Sequence, residues 1–111
     1  MQQEEEETNI FDTKIQFNEF EINLISHKVE IKSKEVILTN LEFNLLFYLA
    51  SQPGRVFTYQ QIYEAVWDEP YAYEKNNIMT HISHLRGKIE PDPAHPRYIE
   101  NVRGVGYRFR K

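Results

Sequence analysis

The chain has 111 residues, 41% of them hydrophobic and 27% charged, which suits one small domain with a real core and excludes a fibrous repeat. It has no Cys, so a disulfide framework, thiolate catalysis and any sulfur-bound zinc or iron–sulfur site are excluded, and a reducing, cytoplasmic setting is expected. The net charge of −4 is unevenly spread: residues 1–12 carry five acids and no base, residues 13–74 nine acids and five bases, and residues 75–111 three acids and eight bases. A polyanion senses fields within a Debye length of about 8–10 Å, so it would meet the last third as positive.

Residues 1–13 read as an acidic leader. Four consecutive glutamates, Glu4 to Glu7, repel one another and offer nothing to bury, so a solvated linker is expected, the cut end of a longer protein. The start is no signal peptide, and no apolar run approaches the roughly 20 residues that span a bilayer, so no membrane partner is expected.

From Lys14 to Ile37 the apolar residues alternate: Ile15/Phe17, Phe20/Ile22/Leu24, Val29/Ile31, then Val36. Turn signals at Asn18-Glu19, Ser26-His27 and Lys32-Ser33-Lys34 divide them, which predicts three or four short antiparallel strands with one apolar face. The acids among them read as scattered surface charge.

At Thr39 the period becomes helical. Thr39-Asn40-Leu41-Glu42 has the form of a capping box, and Leu41, Phe43, Leu45, Leu46, Phe47 and Leu49 supply a broad apolar face up to Gln52-Pro53-Gly54. A second helix follows Thr58, carries Ile62, Tyr63, Ala65, Val66 and Trp67, and stops before a loop from Asp68 to about Tyr73. The third helix, about Lys75 to Ile89, places Ile78, Ile82, Leu85 and Ile89 within an arc of about 40° at 100° per residue. Opposite lie Asn76, Asn77, Thr80, Ser83, His84 and Gly87, with His81 and Lys88 on one flank and Arg86 on the other. No carboxylate occurs on this helix before Glu90, whereas an ordinary solvated helix mixes both signs.

Pro91-Asp92-Pro93 ends that helix. Tyr98-Ile99-Glu100-Asn101-Val102 and Tyr107-Arg108-Phe109-Arg110 then flank Arg103-Gly104-Val105-Gly106, the pattern of a hairpin with Arg103 at its tip.

Two helices, a cation-bearing third and an Arg-tipped hairpin follow the order of a winged helix-turn-helix. A helix fits the major groove, where Asn, Thr, Ser and His meet base-edge donors and acceptors. Lys75, Arg86, Lys88, Arg108 and Arg110 would neutralise phosphates, and an Arg at a hairpin tip can enter a narrow minor groove. The motifs Leu38-Thr39-x-x-Glu42-Phe43-x-x-Leu46, Pro53-Gly54-Arg55-Val56-Phe57, Val66-Trp67, His81-Ile82-x-x-Leu85-Arg86-x-Lys88-Ile89 and Tyr98-Ile99-x-x-Val102-Arg103-Gly104-Val105-Gly106-Tyr107-Arg108-Phe109 together resemble the C-terminal effector domain of OmpR/PhoB-type response regulators. The stretch Lys88-Ile89-Glu90-Pro91-Asp92-Pro93 is similar to the VanR-like branch. The resemblance runs in order over about residues 14–110, within an expected domain of 14–111.

That resemblance implies an α+β fold: an N-terminal four-stranded antiparallel sheet, three helices and a C-terminal β-hairpin wing. It implies sequence-specific binding to double-stranded DNA at direct repeats by a head-to-tail pair, controlled by a sensor histidine kinase through a receiver domain expected to precede Met1. No enzymatic activity, cofactor or metal is expected. Carried over residue by residue, Asn76, Asn77, Thr80 and His84 fall where the family reads bases or adjoining phosphates. His81, Ser83, Arg86, Asn101 and Tyr107 fall on phosphate-contact positions, with Lys88 beside them. Trp67 matches a phosphate-reaching Trp, Arg103 the minor-groove Arg, and Asp68, Glu69 and Tyr71 a loop that contacts RNA polymerase. Ser83 and His84 stand where Arg is frequent, Met79 where Asp is common and Tyr59 in place of a frequent Arg, so base preferences do not transfer from relatives.

Other readings compete. His81 and His84 have metal-ligand spacing, but no Cys or helix-borne carboxylate completes a zinc site. Trp67 can serve as core, Ser83 as neutral surface, and Arg108 and Arg110 as edge-strand charges. Arg86 has the i,i+4 spacing to pair with Glu90. A winged helix that binds protein is disfavoured by the carboxylate-free face, and an enzyme by the lack of any nucleophilic set or phosphate-cradling loop.

Overall fold

In the computed structural model, which describes residues 14–72 and 75–110, the alternating stretch forms β1 (Lys14–Phe17), β2 (Phe20–Asn23), β3 (Lys28–Ile31) and β4 (Lys34–Val36). The expected leader at residues 1–13 lies outside the described residues, as do Tyr73 and Glu74 of the loop and Lys111. The four strands pair in order as an antiparallel meander. Their register aligns Ile15, Ile22, Val29 and Val36 in one cross-strand row. Gln16, Glu21, Glu30 and Glu35 form a row of the opposite parity, as a period of two requires. Lys32 and Ser33, both at positive φ, make the two-residue turn between β3 and β4, and the Asn23 side chain accepts from the Ser26 amide at 3.0 Å to close the turn before β3. This sheet is one compact unit, and residues 38–111 are a second.

The second unit holds α1 (Asn40–Ala50), β5 (Val56–Thr58), α2 (Tyr59–Trp67), α3 (Lys75–Ile89), β6 (Ile99–Val102) and β7 (Gly106–Phe109). The capping box at α1 is formed: Glu42 N donates to Thr39 Oγ1 at 3.2 Å and Thr39 N to Glu42 Oε1 at 3.0 Å. Thr58 and Gln61 form a second one at α2, at 3.1 and 2.9 Å. The apolar stripe of α3 is buried as its spacing predicts, and Phe43, Leu45, Leu46, Leu49, Ile62, Ile99 and Phe109 join Ile78, Ile82, Leu85 and Ile89 in the core. Strand β5, which no alternation in the sequence marks, pairs with β7 so that the expected C-terminal hairpin becomes a three-stranded sheet ordered β5-β7-β6.

One ion pair ties α1 to α3. Lys88 Nζ lies 2.6 Å from Glu42 Oε1, whose side chain is only 6% exposed. Burial pushes the Glu42 carboxyl up, but the Lys88 hydrogen bond, the Thr39 amide and the Lys88 charge outweigh it and hold the group below its ordinary value of 4.5. A depressed folded-state value adds stability that is present above the unfolded value and lost as pH falls through the folded one. Lys88→Met is therefore expected to destabilise the domain by about 1 kcal/mol at neutral pH, a figure discounted for the solvent-facing ammonium. Urea denaturation at pH 7 and at pH 3 should show the difference from wild type shrinking at the acidic end.

Candidate nucleic-acid interface

The face of α3 opposite its buried stripe is exposed at Asn76, Met79, Thr80, Ser83, His84 and Gly87, with Asn77 half-buried. Thr80 Oγ1 donates to Asn76 O at 2.9 Å, so its hydroxyl oxygen remains available as an acceptor. His81 Nδ1 lies 2.8 Å from Asn77 O. A carbonyl only accepts, so Nδ1 carries the proton and Nε2 is left as the second polar atom of the ring. The imidazole stands edge-on to Trp67 at 5.3 Å, and Trp67 stacks on Tyr63 at 5.0 Å. Trp67 is half-buried and belongs to an aromatic column that fixes His81 against α2.

Arg86 and Glu90 do not pair with each other, contrary to the alternative raised by their spacing. They bracket the first residue of β6. Arg86 Nη2 donates to Ile99 O at 2.8 Å, and the Glu90 carboxylate accepts from Arg97 N, Tyr98 N and Ile99 N at 2.5 to 3.0 Å. Glu90 is buried and thereby removed from the surface, against the expectation of a surface charge. The Arg86 guanidinium lies 5.6 Å from the Tyr107 ring centre, and its Nε is buried with no hydrogen-bond partner. Arg86 is thus a tie between α3 and the hairpin rather than a freely projecting cation. Burial pushes the Tyr107 phenol above its ordinary value; the nearby Tyr59 adds to this and Arg86 partly offsets it, so the group stays an un-ionised O–H.

The hairpin tip is built by its glycines. Val105 N donates to Val102 O at 2.9 Å across a turn in which Gly104 has φ +78°, a conformation glycine adopts without strain. That turn leaves Arg103 exposed. Asn101 is exposed on β6, in register with Tyr107. Arg108 and Arg110 converge on Glu100 at 2.7 and 2.5 Å. Chiefly through the Arg108 hydrogen bond, and against the effect of burial, this pair holds the Glu100 carboxyl below its ordinary range. Among the described residues, the carboxylates of Glu42, Glu90 and Glu100 are therefore each matched by cations or backbone amides. Lys75, over the Tyr59 ring at 5.4 Å, and Arg103 have no carboxylate partner among the described residues.

Beyond α2, Asp68 takes a left-handed conformation (φ 57°) that ends the helix, and Tyr63 Oη donates to Glu69 Oε1 at 3.2 Å. Tyr71 N donates to Glu64 Oε2 at 3.3 Å, so Asp68 and Glu69 are presented on a braced loop. No group of three or more His, Cys, Asp or Glu gathers to hold a metal among the described residues, and no helix there is long and apolar enough to cross a membrane.

The family model described as "Transcriptional regulatory protein, C terminal" matches residues 33–109. The regulatory protein VanRc of Enterococcus gallinarum is 40% identical over 90 residues, which are 81% of this chain and 39% of that protein. Response regulator DrrB, an OmpR/PhoB homolog of Thermotoga maritima, superposes with a TM-score of 0.81 at 33% identity over 89% of this chain and 45% of its own. The Klebsiella pneumoniae RstA DNA-binding domain, solved in complex with the RstA box, gives 0.82 at 25% identity over 87% of this chain and 96% of its own. The chain belongs to the OmpR/PhoB-type family of transcriptional regulatory protein C-terminal domains. It spans less than half the length of the curated relatives it matches.

Proposed function

We propose that this chain binds double-stranded DNA in a sequence-specific way, as the non-enzymatic output domain of a two-component response regulator in the cytoplasm. In this reading α3 lies in the major groove, where Asn76, Asn77, Thr80 and His84 meet base edges. Trp67, His81, Ser83 and Asn101 meet the phosphates, Arg86, Lys88 and the buried Tyr107 support that contact from beneath, and Arg103 enters the adjoining minor groove. The observation that carries it is electrostatic: the polar face of α3 has no carboxylate, Glu42 and Glu100 nearby are each paired with a cation, Glu90 is buried against backbone amides, and Arg103 is held out on a glycine turn. Two copies would bind direct repeats head to tail under a sensor kinase acting through a receiver domain. The braced loop with Asp68, Glu69 and Tyr71 would meet RNA polymerase.

The test is titration of duplex oligonucleotides at several salt concentrations. The logarithm of affinity is expected to fall with that of salt at a slope of several, as phosphates release counterions. Arg103→Ala is expected to lower affinity by about tenfold at sites with A·T-rich flanks and much less at G·C-rich ones, on the scale of 1–3 kcal/mol for one good contact. Affinity that ignores both salt and this substitution contradicts the reading.

A further inference from the structure

Among the described residues, only two of the exposed large apolar side chains lie beyond residue 37, Met79 and Val105, and both stand on the proposed DNA face. Val105 stands in the tip two residues after Arg103, in the turn closed by its own amide to Val102 O, so its exposure goes with that turn. Met79 is different. It sits on α3, where a core was available, yet the residue is 45% exposed and its side chain lines a shallow surface groove with Asn76, Thr80, Ser83 and His84. Its four groove neighbours are all polar. A thioether chain standing among amides, hydroxyls and an imidazole adds nothing to the core and leaves apolar surface in water.

The major groove offers such a chain one apolar partner in unmodified DNA. Guanine, cytosine and adenine present only donors and acceptors there, whereas thymine adds a C5-methyl group. We infer that Met79 is a specificity-determining residue that packs on the C5-methyl of a thymine, selecting T over C at one step of the operator. Resting on the proposal that α3 enters the major groove, this adds an apolar contact to the polar ones. Met suits the task because an unbranched, polarizable side chain adapts its rotamers to a small convex group. Neighbouring Asn76 and Thr80 can hydrogen-bond at the same time to the polar atoms of the same or the adjacent pair.

The experiment starts with in-vitro selection of a bound duplex from a random pool, with the wild-type chain and with Asn77→Ala. Each thymine of the selected site is then replaced in turn by deoxyuridine, which keeps every hydrogen bond and removes only the methyl. Wild type is expected to lose roughly three- to fivefold in affinity at one thymine, the scale of one methyl group leaving water. Met79→Ala should bind the thymine and uracil duplexes equally at that position while keeping any sensitivity elsewhere. Met79→Leu, which keeps an apolar chain, should restore the discrimination. The inference is overturned if wild type ignores every thymine-to-uracil change, or if Met79→Ala keeps the wild-type pattern. A motif altered by Asn77→Ala beside such indifference means that α3 reads the major groove without Met79. No duplex selected, or a motif unchanged by Asn77→Ala, overturns the major-groove reading and this inference together.

Discussion

Glu90→Ala is expected to destabilise the domain by about 3 kcal/mol, the largest loss from removing one polar side chain here. The carboxylate accepts three successive amides, those of Arg97, Tyr98 and Ile99, and the last two belong to buried residues. A buried N–H without an acceptor costs about 1–3 kcal/mol, and no other acceptor replaces Glu90 once the methyl of Ala stands in its place. In a domain of this size 1 kcal/mol moves the melting temperature by roughly 4–8 °C, so a loss of about 12–24 °C is expected. Glu90→Gln keeps one acceptor oxygen but turns an NH2 toward amide donors, so an intermediate loss is expected. Thermal melts and urea denaturation of the two variants check this. A Glu90→Ala variant within about 0.5 kcal/mol of wild type would mean that the clamp holds nothing. The clamp also bears on function: with Arg86 it fixes the end of α3 to the start of β6, the two elements whose relative placement determines whether one duplex can meet both α3 and Arg103.

The parts of this arrangement that local spacing dictates were legible in the sequence. The buried stripe of α3 follows from a 3.6-residue period, the box at Thr39 from residues three apart, and the tip from glycine at Gly104. Contacts between distant residues were not. Lys88 read as a phosphate cation because its partner Glu42 is 46 residues away. Arg86 read as a phosphate contact, with a surface pair to Glu90 as the alternative, because Ile99, which both side chains hold, lies across a proline-rich turn. Strand β5 escaped because three residues running straight into a helix cap carry too little alternation, and its pairing with β7 is non-local. The exposure of Met79 had no local signature, since a Met at the flank of an apolar stripe reads equally well as core.

Two glycines that look interchangeable in the sequence are expected to respond with opposite signs. Gly106 begins β7 between Thr58 on one side and Val102 on the other. A Cβ there would stand 1.9 Å from Phe57 O and 2.9 Å from Thr58 Cα, both backbone atoms of β5. No side-chain rotation relieves a clash with backbone, so Gly106→Ala must push β5 off β7 and, with it, displace Phe57 from the core. A loss of at least about 3 kcal/mol is expected, at the upper end of the overpacking range. Gly87, on the exposed face of α3, has nothing within 4 Å of a built Cβ, and its backbone is ordinary helix. Gly87→Ala is therefore expected to stabilise the domain by roughly 0.5–1 kcal/mol, the difference in helix propensity between the two residues. Denaturation of both variants side by side tests the argument. Equal effects would show that propensity alone governs both positions, whereas opposite signs follow only if the close approach of β5 to β7 is what requires glycine at 106.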